Sequence, residues 1–190
     1  YFKFMKKFFL LFLLWNAIAS AQTTDANIVN LCSKNEFVLL SAKLNKLTQK
    51  EKNHDFLENK TGKYVSLCAS SAQEPYEVIH YRFGKPGAVE LEKKFDKNNR
   101  IELYPNIDHP ITYNTMRLEV GKYNYLINRG TGGMSIVSLI VKKNNKELAY
   151  FIARYEDIYA PIDDFFESLN KGNINKKLAS SAFKEEKFDY

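Results

Sequence analysis

The feature that most constrains this chain is a run of alternating side chains inside Gly62–Phe95. Ile79, Tyr81 and Phe83 occupy every second position, and the residues between them form the other side of an extended chain. A period of two is typical of a β-strand, because successive side chains of a strand point to opposite faces. The segment therefore predicts a strand with one aromatic face.

A second alternating segment follows a short glycine- and proline-containing stretch. Val89 and Leu91 alternate with glutamates, so a closing loop of Gly84–Ala88 predicts a hairpin that matches the apolar faces of both strands. The predicted register places Phe83 opposite Val89 and Tyr81 opposite Leu91.

Similar apolar or alternating runs recur along the chain, separated by turn residues and without a helical period between them. The predicted strands besides this hairpin are Glu36–Leu44, Lys63–Ser70, Ile101–Tyr104, Thr112–Val120, Lys122–Asn128, Met134–Lys143 and Glu147–Tyr155. Gly121 and Asn144-Asn145 are predicted turns between neighbouring strands. This spacing favours a mainly β fold, an antiparallel meander forming a barrel or sandwich.

The pattern changes after Pro161. Phe165, Phe166 and Leu169 lie at helical spacing in Asp163–Leu169, which predicts a short C-terminal helix. We therefore divide the chain into a β domain at 22–160 and a C-terminal helix with a loosely docked tail at 161–190.

The beginning of the chain resembles an export signal. Lysines precede an apolar run from Phe8 to Ile18, and Ala19-Ser20-Ala21 has the small-x-small pattern of a cleavage site. The apolar run is shorter than the ~20 residues that a membrane span needs. We expect residues 1–21 to be a signal peptide, the protein to be periplasmic or secreted, and no stable membrane anchor to remain after cleavage.

The net charge of the chain excludes few classes of function by itself. Removing residues 1–21 takes away three lysines and no acids, which lowers the formal net charge from +6 to +3. A charge this small does not indicate a nucleic-acid partner. We expect no nucleic-acid binding and no cofactor.

The two cysteines, Cys32 and Cys68, both follow the predicted signal. Thiols in an oxidising compartment usually pair, so a disulfide is expected; the alternative is one buried and one exposed free thiol. Neither cysteine has a histidine or another cysteine at ligand spacing, and we expect no metal site.

No stretch carries a catalytic signature, so no catalytic residue is predicted. His80 and Arg82 share the strand face opposite the aromatic residues and are candidate binding residues. Arg129, Gly130, Thr131 and Gly132, in the predicted loop 129–133, are candidates for holding an anion with backbone amides, although a wide hairpin turn is the alternative.

Three segments together resemble a group of small exported proteins of Gram-negative bacteria that have no assigned activity. The segments are Gly62–Ser70, Tyr81–Leu91 with its YRFG-x-PG sequence, and Leu118–Tyr125. The resemblance covers about residues 36–143; it departs from the group at Ser41 or Ala42, where the group has a cysteine, and in the C-terminal extension. It implies a periplasmic β protein and supplies no catalytic residues.

Two functional hypotheses follow. The first is an exported non-enzymatic binding protein, an inhibitor or immunity-type protein that occludes an enzyme acting on the cell envelope, with another envelope protein as its partner. Loops 45–60 and 129–133 are its predicted contact surfaces. The second is a periplasmic hydrolase of envelope material that uses His80 and Arg82.

Overall fold

The computed structural model describes residues 29–47, 60–105, 112–131, 136–160 and 182–185. They form one mainly antiparallel sheet of 11 strands, together with a single-turn 3-10 helix at Tyr155–Asp157. The strands are β1 (Phe37–Leu47), β2 (Lys60–Ala69), β3 (Ile79–Lys85), β4 (Ala88–Phe95), β5 (Ile101–Pro105), β6 (Thr112–Val120), β7 (Tyr123–Thr131), β8 (Ile136–Lys143), β9 (Lys146–Ala153), β10 (Ile158–Tyr159) and β11 (Phe183–Glu185). The predicted mainly β meander is confirmed, whereas the predicted helix Asp163–Leu169 lies outside the described residues.

The strand order is β11-β5-β6-β7-β8-β9-β1-β2-β3-β4, and β10 pairs with β1 beside this path. The order consists of two meanders, β5 to β9 and β1 to β4, that are joined where β1 pairs with β9. Strand pairing does not close the sheet, so the architecture is sandwich-like. One core cluster contains residues of both meanders.

Aromatic contacts show how the two meanders face each other. The Tyr81 ring of β3 lies 5.5 Å from the Tyr125 ring of β7, and the Phe83 ring lies 5.6 Å from the Phe151 ring of β9. These centroid distances fall in the range that aromatic pairs prefer. Because each large apolar side chain buried in this way contributes about 1.5–3 kcal/mol, the facing strands are held mainly by apolar burial.

The predicted turns at Gly121 and Asn144-Asn145 are confirmed. Asn144 and Asn145 have φ values of 48° and 63°, as a two-residue turn of type I′ requires between antiparallel strands. Gly121 has a φ of 61° between β6 and β7. Both turns follow from local chemistry, since glycine and asparagine tolerate the left-handed region better than other residues.

The predicted register of the β3–β4 hairpin is wrong. Phe83 pairs with Leu91, Gly84 pairs with Val89, and the turn tightens to the two residues Pro86-Gly87. An irregularity between Phe83 and Gly84 absorbs the difference, and a Cβ at Gly84 would lie 2.6 Å from the carbonyl oxygen of Ala88. Only glycine fits there, because such a contact is far shorter than van der Waals distance.

Part of the C-terminal tail is an element of the sheet and is not loosely docked. β11 pairs with β5 in parallel, and Phe183 is fully buried. The residue before β11, Ala182, accepts a hydrogen bond from the Ile101 amide at 2.7 Å and donates one to the Tyr76 carbonyl at 2.8 Å. Ala182 therefore bridges the β5 edge of the sheet to the segment that leads into β3.

Candidate functional site

Strand β3 places His80 and Arg82 together on one face, as the alternation predicted. Their neighbours Ile79 and Tyr81 are fully buried on the core face of the same strand. Arg82 lies on the opposite face of the strand and is nevertheless buried, with an exposed fraction of 6%. A buried guanidinium needs partners for its charge and its donors, so its surroundings decide what this face can do.

Arg82 is paired with two carboxylates and one carbonyl. Its guanidinium binds both oxygens of Glu36, with Nη2 3.1 Å from Oε1, and Nη2 also lies 2.9 Å from Oε1 of Glu92. Nη1 donates to the Leu31 carbonyl at 3.3 Å. The two-point contact with Glu36 matches the planar fork of a guanidinium to a carboxylate, which is the strong form of this ion pair.

His80 is part of the same network. Its Nδ1 lies 3.0 Å from Oε1 of Glu92, 3.5 Å from Oε1 of Glu36 and 3.1 Å from Nη2 of Arg82. The imidazole is 27% exposed, so solvent still reaches it. We call Glu36, His80, Arg82 and Glu92 the charge network.

The network keeps both carboxylates ionised. Burial by itself would raise the pKa of Glu36, but the hydrogen bond and charge of Arg82 and the Ser33 amide bring this pKa below its ordinary value. The pKa of Glu92 is lowered first by the hydrogen bond to His80 and then by Arg82. Two ionised carboxylates thus face one permanent cation, Arg82, with the imidazole of His80 beside them.

A disulfide lies next to the network. Cys32 and Cys68 are bonded, with an S–S distance of 2.07 Å, and Cys68 is the cross-strand neighbour of His80. The predicted pairing is therefore confirmed. One carboxylate oxygen of Glu36 and the two sulfur atoms lie within 4.8 Å of one another. Sulfur atoms joined in a disulfide are not thiolates, which are the form of cysteine that binds metals.

Two buried serines attach the segment before β1 to the sheet. The Leu31 amide donates to the Ser66 hydroxyl at 3.1 Å, and the Ser41 hydroxyl donates to the Val29 carbonyl at 3.1 Å. The two hydroxyls lie 3.0 Å apart. Residues 29–36 are thus fixed by serine hydrogen bonds, by the disulfide and by the charge network.

A histidine with a carboxylate on Nδ1 is the arrangement by which a carboxylate orients a general base. Here Arg82 donates to the same Glu92 oxygen and also contacts Nδ1 of His80. Within the described ranges, no hydroxyl of serine or threonine is hydrogen-bonded to His80. Among the described residues, the geometry therefore pairs Glu92 with both Arg82 and His80 and places no serine or threonine nucleophile against the ring.

The second group of candidate residues lies elsewhere. Arg129, Gly130 and Thr131 belong to β7 and are not part of a loop, and Gly132 is outside the described residues. Arg129 is 7% exposed and shares the side of its strand with buried Ile127. The structure does not bring Arg129 to the charge network, because Arg82 lies on the face of β3 that points away from the core.

Sequence analysis missed the partners of Arg82. Glu92 lies directly across from Arg82, a relation that the correct hairpin register would have revealed. Glu36 lies 46 positions before Arg82, and their contact depends on β1, β2 and β3 being neighbours. Only the alternation that placed Glu92 on the polar face was available as a signal.

A further unpredicted cluster attaches the tail. Glu102 of β5 binds Arg117 of β6, accepts from the Tyr104 hydroxyl at 2.9 Å and lies 2.9 Å from Nζ of Lys184 in β11. Burial would raise the pKa of Glu102, but its contacts with Arg117, Lys184 and Tyr104 lower it overall. The cluster joins three strands at the β5 edge.

In the comparisons with known proteins, no family model, no curated protein and no solved structure matches this chain. In the part of the chain that the structure describes, no helix has the length and apolar character that crossing a membrane requires.

Proposed function

We propose that this protein is an exported, non-enzymatic binding protein, an inhibitor or immunity-type protein that occludes an enzyme acting on the cell envelope. The observation that carries the proposal is that the members of the charge network are paired with one another. Arg82 is paired with two carboxylates, and the atom of His80 that a catalytic carboxylate would orient is shared with this arginine. The residues best suited to acid–base chemistry are thus engaged in holding the fold together.

Export is the second part of the proposal. The Cys32–Cys68 disulfide supports it, since such bonds form and persist outside the reducing cytosol. The signal-like residues 1–21, and the resemblance to small exported proteins, support the same location. The disulfide and the charge network give a rigid β scaffold, which suits a protein that binds with little loss of conformational entropy.

Peptidoglycan digestion tests the proposal. Purified protein is added in increasing amounts to a periplasmic extract that releases soluble fragments from peptidoglycan, and fragment release is measured. We expect release to fall with the amount of protein added, and the protein alone to release no fragments. Residues 45–47 and 60 of the predicted contact loop belong to β1 and β2, whereas Lys50 lies between these strands in the sequence. Lys50→Glu should weaken inhibition, and the matched change Lys97→Glu should leave it unchanged.

The periplasmic hydrolase is the second candidate, and the 3.0 Å approach of Glu92 to Nδ1 of His80 is the observation in its favour. Fragment release by the protein alone, abolished by His80→Ala, would establish this alternative. Unchanged release by the extract at every protein ratio would remove the support for inhibition.

A further inference from the structure

The Cys32–Cys68 disulfide joins two segments that each bring a second metal-binding side chain. Glu36 follows Cys32 in the segment before β1, and His80 is the direct cross-strand neighbour of Cys68. Residues that lie directly opposite in an antiparallel pair have their side chains on the same face, with Cβ atoms about 4.5–5.5 Å apart. Two pairs of side chains, Cys32 with Glu36 and Cys68 with His80, therefore meet at the disulfide.

The ends of these four side chains lie close together. One carboxylate oxygen of Glu36 and the two sulfur atoms lie within 4.8 Å of one another, and Nδ1 of His80 lies 3.5 Å from Oε1 of Glu36. Zinc bonds of about 2.0–2.3 Å in a tetrahedral site place neighbouring ligand atoms about 3.5 Å apart. The observed separations are therefore close to those of a zinc site, except that the sulfur atoms are bonded to each other.

We propose that reduction of the disulfide converts this place into a zinc site whose ligands are Cys32, Cys68, Glu36 and His80. A dithiol reductant supplies the two electrons; it becomes a disulfide itself, and its two protons end on the two cysteine sulfur atoms. Zinc then binds the sulfur atoms as thiolates and displaces both protons to solvent. Thiolate, imidazole and carboxylate are the ligand types that zinc takes in proteins. This inference does not depend on the proposed inhibitor function.

Both a reductant and a metal ion have a route to the site from solvent. Cys32 is half-buried and Cys68 is fully buried, so we expect a reductant to attack the sulfur atom of Cys32. The attack forms a mixed disulfide with Cys32 and releases the thiolate of Cys68, and the second thiol of the reductant then frees Cys32. The imidazole of His80 is 27% exposed on the same face, which leaves an entry for the metal ion.

The charge network accommodates zinc. Arg82 contacts both oxygens of Glu36, but each oxygen of a carboxylate has two lone pairs, so Glu36 can bind the metal and keep its arginine. Zinc would replace Glu92 as the partner of Nδ1 of His80, and Glu92 would retain Nη2 of Arg82 at 2.9 Å. Two thiolates and the Glu36 carboxylate carry three negative charges, which zinc and Arg82 balance.

Zinc titration of the full protein, oxidised and reduced, tests the inference. The reductant in this experiment is a phosphine, because a dithiol would compete for zinc; the phosphine takes an oxygen atom from water and leaves two thiols. Zinc is titrated without oxygen in competition with a coloured chelator. We expect one zinc ion per reduced chain, no zinc on the oxidised protein, and the absorption of tetrahedral thiolate coordination when cobalt replaces zinc. No binding by the reduced protein would overturn the inference, as would equal binding by both forms.

Single substitutions identify the ligands. We expect Cys32→Ser to abolish stoichiometric binding. His80→Ala and Glu36→Gln should each weaken zinc affinity at least about tenfold, since even the loss of residues that only orient metal ligands costs that much. The matched controls, His109→Ala and Glu90→Gln, remove the same groups from positions outside the two ligand pairs and should weaken affinity less than about threefold. Equal losses in His80→Ala and His109→Ala would overturn the assignment of His80.

Urea denaturation separates a folded zinc site from binding to an unfolded chain. A metal that binds the native state raises its stability, so zinc should raise the urea midpoint of the reduced wild type and should not raise that of Cys32→Ser. If the reduced chain is unfolded without metal, zinc should restore the circular dichroism of the β fold. Zinc binding that produces neither effect would refute the inference.

Discussion

Arg82→Met tests whether the charge network stabilises the fold. The Arg82 side chain is 7% exposed and that of Glu36 is 13% exposed, so the variant leaves a partly buried carboxylate without its cation. Removing one partner of a buried ion pair costs about 3–5 kcal/mol. Glu36 keeps some contact with water and Glu92 is half exposed, so we expect a loss near the lower limit, about 3 kcal/mol in the free energy of unfolding.

A double-mutant cycle isolates the pair. Glu36→Gln alone should cost about 1–2 kcal/mol, because charge-assisted hydrogen bonds are lost. In the Arg82→Met background the same change should cost little, since the uncompensated charge is then removed. The expected coupling energy is about 2 kcal/mol. Lys63→Met is the control, because Lys63 and Glu90 form an exposed pair that should contribute less than about 1 kcal/mol.

Urea denaturation of the oxidised proteins at neutral pH measures all of these energies, provided that the dependence on urea is the same for each variant. If Arg82→Met costs no more than Lys63→Met, the network does not stabilise the fold. A coupling energy near zero between Arg82 and Glu36 would show that the two-point contact has no energetic role.

Three further predictions concern the scaffold. Replacing both Cys32 and Cys68 by serine opens a link across a sequence separation of 36, and should cost about 4 kcal/mol in the chain-entropy model; a midpoint in urea equal to that of the oxidised wild type would contradict this. Gly84→Ala should cost more than about 2 kcal/mol because its Cβ meets backbone atoms at 2.6 Å, whereas Gly121→Ala, with open space around its Cβ, should cost only about 1 kcal/mol; equal losses would refute the close approach. The pKa of Glu102 is lower in the folded state than its ordinary value of about 4.3, so its stabilising contribution is complete above that value and is lost as the pH falls through the lower folded pKa. We therefore expect Glu102→Gln to lower the free energy of unfolding at pH 7, and the difference from wild type to shrink below about pH 4. A difference that stays constant with pH would be inconsistent with the lowered pKa.

Local features of the fold could be predicted from sequence, because they depend on neighbouring residues. The turns at Gly121 and Asn144-Asn145 require a backbone that glycine and asparagine adopt readily, and the alternation around Tyr81 identified its core face. The β3–β4 register failed because matching apolar faces allowed two registers that differ by two residues. The irregularity at Gly84 selects between them, and it depends on backbone packing that the sequence pattern does not reveal.

Long-range relations could not be predicted. The position of β1 between β9 and β2 brings Glu36 to Arg82, and nothing in the local pattern of either residue specifies it. The pairing of β11 with β5 was missed for the same reason, since Phe183 lies in a lysine-rich tail with no alternation.

The bridge at Ala182 is where we expect local opening of this protein to occur. It joins the β5 edge to the segment before β3 through single backbone hydrogen bonds, whereas other neighbours in the sheet share ladders of several. Hydrogen exchange at the amides of Ile101 and Ala182 should therefore be faster than in β7 and β8. If β11 detaches together with this bridge, β5 presents an unpaired edge to other chains, so the few residues of the tail also protect the protein from edge-to-edge aggregation.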